Sequence, residues 1–300
     1  MKSFSLLCLI CFAISCAGSK KIVTSNENST STDKENSKNL DSIIETPSDT
    51  FSIKDSLNIT PTKEDVKNDE VLKDKITELK TKFLNRPNQT WNELLDLYVS
   101  EEGKVDYKSF SKEHQKLLDY IHNLSFIRSD DTFESLSKNE KLAYWINTYN
   151  ALTIDLIIRH YPLKSIKDIK DPWNQRLWKL GDKWYNLNEI EHQILRKMNE
   201  PRIHFAIVCG SYSCPKLKNE AYTSENLDEQ LTDATKTFLA DDKRNNISSN
   251  NLELSKIFQW FTKDFKQDGS LIDFLKKYSD IKISDKAKKR FKDYNWDLND

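Results

Sequence analysis

Ser137-Lys138-Asn139-Glu140-Lys141-Leu142-Ala143-Tyr144-Trp145-Ile146-Asn147-Thr148-Tyr149-Asn150-Ala151-Leu152-Thr153-Ile154-Asp155-Leu156-Ile157-Ile158-Arg159-His160 is the stretch that decides the fold. It opens on Ser-x-x-Glu, a capping box at Ser137 and Glu140. It closes at Tyr161-Pro162, where the proline disfavours further helix. Between these ends apolar residues point in nearly every direction, and a helix apolar all round is buried. The spacing predicts a long central helix to about His160. Asn147 and Asn150 go into the interior with it. A buried amide without a partner costs about 1–3 kcal/mol, so each must bond to something. Two readings follow: an anchor for loop backbone, or an orienting amide at a reactive site.

Around this helix the chain reads as helices with a little sheet. Thr90 is placed to cap a helix carrying Trp91, Leu94, Leu95 and Tyr98. Glu113 to Leu124 is amphipathic. Leu177 to Leu187 has the pattern of a hairpin turning at Gly181-Asp182, and a helix follows from Asn188. Ile203 to Val208 reads as an apolar strand. Leu227 to Ala240 is helical, and Asn246 to Leu254 is a second hairpin. Ser255 to Phe265 and Ser270 to Tyr278 are helical again. Lys286 to Lys292 reads as a solvated helix face. The sum is α+β: one mostly helical domain over 90–300, with a small, mainly antiparallel sheet and a central buried helix.

The first third is different. A positive start at Lys2 and an apolar run from Leu6 to Ile14 end at Ser15-Cys16-Ala17. The run is too short to span a membrane as a helix and has the form of a signal peptide. Small residues before Cys16 match a bacterial lipoprotein signal over 1–15, cut so that Cys16 is acylated. Ala17 in place of aspartate favours an outer-membrane anchor facing the periplasm. Residues 16–63 are polar and cannot bury enough apolar surface to offset chain entropy, so they read as a disordered tether. Residues 64–89 carry a charged helical pattern, a lead-in helix.

Forty-six basic against 47 acidic residues leave a formal charge of −1, no field for nucleic acid. Five glycines and no Gly-rich loop, nucleophile elbow or His-Glu-x-x-His helix exclude the familiar phosphate, serine-hydrolase and zinc-peptidase motifs. Of five cysteines, Cys8 and Cys11 leave with the signal and Cys16 takes the lipid. Cys209 and Cys214 remain. With His192 and His204 they match no standard zinc spacing, and the sequence calls for no metal or cofactor.

Both cysteines lie in Arg202-Ile203-His204-Phe205-Ala206-Ile207-Val208-Cys209-Gly210-Ser211-Tyr212-Ser213-Cys214-Pro215. A rigid element ending in a polar turn is a good place to present a reactive thiol. Cys209 sits at the strand end. Cys214 precedes Pro215, the position of a helix N-cap, where the dipole lowers a thiol pKa. Ser211 and Ser213 supply hydroxyls. If 204–209 is extended, its five steps span roughly 16 Å. That separates His204 from Cys209 and makes His192 the better base, with Glu191 capping after Asn188. In the competing reading, the exported thiols form a disulfide and the histidines only pack.

The helix block, His160-Tyr161-Pro162, Ile190-Glu191-His192 with Leu195-Arg196, and Arg202-Ile203-His204-Phe205-Ala206 come in this order. Ser213-Cys214-Pro215, Ala221-Tyr222, Trp260, Asp264-Phe265 and Tyr294-Asn295-Trp296-Asp297-Leu298-Asn299 follow. In that order the chain resembles the family known as domain of unknown function 547, DUF547, from about Trp91 to Asn299. A fainter similarity to papain-like cysteine peptidases implies thiol chemistry. On these readings Cys209 (marginally preferred), Cys214, His192, His204, Asn147 and Glu191 are the catalytic candidates. Asn150, Ser211, Ser213, Arg196, Trp260 and Asp264 are candidate binding residues. In the structural alternative Trp260 is core and Arg196 pairs with Asp264. The expected function is a thiol-dependent hydrolase or transferase acting on a peptide-like or small-thiol ligand. The alternative is a non-catalytic envelope binding module stapled by a Cys209–Cys214 disulfide.

Overall fold

The capping box at Ser137 forms as the sequence requires. Ser137 Oγ accepts from the Glu140 amide at 3.3 Å, and Glu140 Oε2 accepts from the Ser137 amide at 2.7 Å. The helix it starts, Lys138–His160, is the centre of an α+β fold, and every residue from Leu142 to Ile158 is buried. The computed structural model describes residues 88–300. The expected signal peptide, Cys16, the tether and nearly all of the lead-in helix lie outside the described residues.

In chain order, α1 covers 88–98, α2 Tyr107–Phe110, α3 His114–Ser129 and α4 Lys138–His160. The helix expected to start after Thr90 is already under way at residue 88. Strands β1, Trp178–Leu180, and β2, Lys183–Tyr185, pair antiparallel across Gly181-Asp182, the expected hairpin. Then α5, Leu187–Glu189, runs into a π-helical turn, Ile190–Ile194, and a 3-10 turn, Leu195–Met198. Helix α6 is Leu227–Ala240. Strands β3, Asn246–Ile247, and β4, Asn251–Leu254, pair antiparallel, and α7, Ile257–Trp260, and α8, Leu271–Tyr278, follow. Lys288–Phe291 is strand β5, parallel to β4, not a helix face. Its lysines lie along one sheet edge, where charge discourages further pairing. Among the described residues no helix is long and apolar enough to cross a membrane.

The strand expected over Ile203–Val208 does not form. Pro201 starts a 3-10 turn, Pro201–Phe205, capped by Glu200, whose carboxylate accepts from the Arg202 amide at 3.1 Å. Residues 206–209 then run without regular structure. The segment is apolar because it is clamped between two cores. Ile203, Ala206, Ile207 and Val208 belong to the main core around α4, whereas Phe205 packs on Phe238, Phe258 and Phe265 beneath α6 and α7. Buried backbone needs partners, and here a side chain supplies them. Asn150 Nδ2 donates to the Ala206 carbonyl, and its Oδ1 accepts from the Val208 amide, both at 2.9 Å. One asparagine does the work of a neighbouring strand.

Asn147 holds a second loop in the same way. Its Nδ2 donates to the Tyr222 carbonyl at 2.8 Å and its Oδ1 accepts from the Tyr222 amide at 2.9 Å. After β5 the chain crosses back over the 209–214 loop. Tyr212 donates its amide to the Asp297 carbonyl at 2.6 Å, and the Asn299 amide donates to the Gly210 carbonyl at 3.2 Å.

Candidate functional site

The Asn150 clamp and the returning C-terminal segment fix one loop, Cys209-Gly210-Ser211-Tyr212-Ser213-Cys214. Gly210 has φ +74°, the region that favours glycine, and an added Cβ there would overlap Ile157 Cδ1 of α4. That turn folds the chain back so that the Cys209 amide donates to Cys214 Sγ at 3.1 Å. Ser211 Oγ donates to the same sulfur at 3.3 Å, and Tyr294 Oη lies 3.2 Å from it. Cys209 Sγ is 3.2 Å from Ser211 Oγ and 3.5 Å from Tyr294 Oη. Both cysteines are free thiols, Cys209 half-buried and Cys214 only 4% exposed.

Two adjacent sulfurs do not carry charge equally. Burial works against a thiolate at Cys214, but hydrogen bonds from Cys209, Ser211 and Tyr294 outweigh it and bring the thiol down to about 6. Cys209, which hydrogen-bonds to Cys214 and is itself desolvated, is pushed well up. Of the two, Cys214 is the better placed to carry a thiolate, because the fixed Cys209 amide is aimed at its sulfur. The helix N-cap expected at Cys214 is absent, since Pro215 to Tyr222 has no helix. Directed hydrogen bonds replace the dipole.

The sulfurs line a cavity of about 350 Å³ together with Glu191, His192 and His204. Glu191 and His192 project from the π-turn, a distortion that recurs at functional sites. Glu191 does not cap: Asn186 fills that position, accepting from the Glu189 amide at 2.7 Å. Instead Glu191 Oε2 accepts from Tyr149 Oη at 3.1 Å, and burial raises its carboxyl to about 7.

His204 Nε2 lies 2.8 Å from Asp264 Oδ2. Asp264 also takes a two-pronged bond from Arg196, Nε at 2.6 Å and Nη2 at 2.9 Å. Burial opposes the Asp264 charge, but the bonds from Arg196 and His204 hold its carboxyl well below the usual range. A carboxylate is acceptor-only, so His204 donates its Nε2 proton and keeps its lone pair on Nδ1. Burial holds the ring neutral despite the carboxylate. The ring also stacks on Phe261 at 3.9 Å.

His192 is arranged the other way. Its Nδ1 is 3.1 Å from Arg196 Nη1, and a guanidinium only donates, so the Nδ1 lone pair is engaged and the proton sits on Nε2. Burial and Arg196 both lower its pKa. His192 thus offers the cavity a donor rather than a base. The premise for ranking His192 above His204, an extended 204–209 strand, does not hold.

The other candidates divide. Arg196 and Asp264 form the expected pair. Trp260 is not core: it is 46% exposed, stacks on Trp296 and meets Tyr294 at a tilt at the cavity wall. Ser211 bonds the sulfurs, whereas Ser213 Oγ accepts from the Asn295 amide at 2.9 Å. Asn147 and Asn150 are absent from the cavity lining, and both amides are engaged by loop backbone. Sequence reasoning missed Tyr294 and Tyr149. Tyr294 lies 80 residues from Cys214 with no spacing signal, and Tyr149 was hidden in an apolar helix.

Residues 133–239 match the family model described as "Protein of unknown function, DUF547". No curated protein and no solved structure matches the chain. The matched span runs from before α4 to α6 and includes Glu191, His192, His204 and both thiols; Asp264 and Tyr294 lie beyond it. The chain carries a DUF547 domain over these residues.

Proposed function

We propose that the cavity is the active site of a thiol-dependent hydrolase or transferase of peptide-like acyl groups, carried on an exported, lipid-anchored chain. The observation that supports this most is Cys214 Sγ, held by three donors in the same cavity as an imidazole oriented by a carboxylate. Such a thiolate needs no base to form. It attacks the acyl carbon and forms a thioester. Glu191, with a carboxyl near 7, is protonated in a useful fraction at neutral pH and delivers a proton to the leaving group. His204 Nδ1 then takes a proton from water or an acceptor as that nucleophile opens the thioester. His192 Nε2–H is a donor for developing negative charge. The lipid anchor is supported by the signal-like 1–16 alone.

A peptidyl nitrophenyl ester tests the reading. Wild type should release nitrophenol in a burst and carry the acyl group on Cys214. His204→Ala should acylate but accumulate the thioester. If Cys214→Ser turns over the ester at the wild-type rate, the site is not thiol-dependent. The binding-module alternative would show neither burst nor adduct.

A further inference from the structure

The acyl-transfer scheme leaves one nucleophile without a task. Cys209 contributes its amide, but its own thiol is idle. That thiol is half-buried against the same cavity. Its backbone amide donates to Cys214 Sγ, and both sulfurs share Ser211 Oγ and Tyr294 Oη as neighbours. A structural cysteine is normally an inert apolar group. Here a second thiol is held against the first by a turn that only glycine at 210 accommodates.

We infer that Cys209 is a resolving thiol, and that the pair reduces small-molecule disulfides by thiol–disulfide exchange at this cavity. The inference rests on Cys214 being the nucleophile of the proposed site. Cys214 thiolate attacks one sulfur of a disulfide R–S–S–R, and the first R–S⁻ leaves. The Cys214 mixed disulfide is then attacked by Cys209. Its S–H proton goes to the second departing sulfur, which leaves as R–SH, and a Cys209–Cys214 disulfide forms. Two electrons pass from the dithiol to the substrate, and one negative charge is conserved throughout. The charge distribution suits the order of events, since the attacking sulfur is the better thiolate. The substrate class follows from access. Cys214 is 4% exposed at the wall of a cavity of about 350 Å³, room for a small disulfide but not for one on a folded protein.

Glutathione disulfide is a suitable probe. The full chain, reduced and then freed of reductant, is incubated with it, and the tryptic peptide Ile203–Lys216, which carries both cysteines, is weighed. Wild type should release two glutathiones per chain and give a peptide two hydrogens lighter, without adduct. Cys209→Ser should release one and retain glutathione on Cys214. Cys214→Ser should react at least about tenfold more slowly, because the amide donor that steadies a thiolate is aimed at position 214 and not at Cys209. A wild-type peptide with stable glutathione on either or both cysteines would overturn the resolving role while leaving the Cys214 nucleophile standing. A Cys214→Ser chain as fast as wild type would instead overturn the nucleophile assignment, and this inference with it.

Discussion

The backbone amide of Cys209 donates to the sulfur of Cys214 at 3.1 Å, across a turn set by Gly210. An amide is a donor in every protonation state of the site, so it biases the shared charge towards Cys214. Tyr294 adds a second donor from the far end of the chain, 3.2 Å from the same sulfur. Hydrogen bonds to charged groups are worth about 1.5–3 kcal/mol. Tyr294→Phe should therefore raise the Cys214 pKa by roughly one to two units. Thiol alkylation at pH 7 should slow accordingly, with little change at pH 9. An unchanged rate would show that Tyr294 does not hold the thiolate.

Glu191 gives a pH signature of its own. Its folded carboxyl is raised to about 7, above an unfolded value of about 4.3. A raised group contributes stability that is complete below the unfolded value and lost as pH rises through the folded one. Glu191→Gln should thus gain about 1–3 kcal/mol relative to wild type on going from pH 5 to pH 8. Thermal unfolding at the two pH values measures it. A difference that is the same at both would mean that the Glu191 carboxyl is not held protonated.

Asn150 and Asn147 separate two effects. Removing either amide strands one buried carbonyl and one buried N–H, and each variant to alanine should lose about 2–4 kcal/mol of stability. Asn150→Ala frees Ala206 and Val208, the approach to Cys209, and should also slow thiol alkylation. Asn147→Ala frees only Tyr222 and should leave the alkylation rate of the folded fraction unchanged. Denaturant unfolding and alkylation of both variants check this pair of outcomes.

Much of this arrangement is legible in the sequence. The α4 capping box, its burial, the Gly181-Asp182 hairpin, α6 and α8 all follow from local pattern. The 203–208 segment does not, because an all-apolar run reports burial and not conformation. Its backbone is satisfied by the Asn150 side chain, 56 residues away from Ala206, which no local period records. Trp260 misleads for a related reason: an aromatic residue suits a core or a cavity wall equally. The tautomers of His192 and His204 are set by Arg196 and Asp264, so the choice between the two as base depends on tertiary contacts alone.

Gly210 tests the loop itself. Gly210→Ala places a side chain at φ +74° and drives it into Ile157. The left-handed strain is about 1–2 kcal/mol before any overlap. The variant should be less stable by at least that amount and should lose the fast-reacting thiol, as the Cys209 amide swings off Cys214. Retention of both properties would mean that the turn does not position the amide.

The most direct measurement is the rate of iodoacetamide alkylation against pH for wild type, Cys209→Ser and Cys214→Ser, with the labelled residue located by peptide mass. Wild type should show a thiol titrating near 6, labelled at Cys214. Cys209→Ser should keep that phase, and Cys214→Ser should lose it, leaving Cys209 to react only as pH nears the ordinary thiol value of about 8.5. A wild-type profile with no inflection below about 8.5, or a low-pH phase that survives in Cys214→Ser, would contradict the assignment of the thiolate to Cys214.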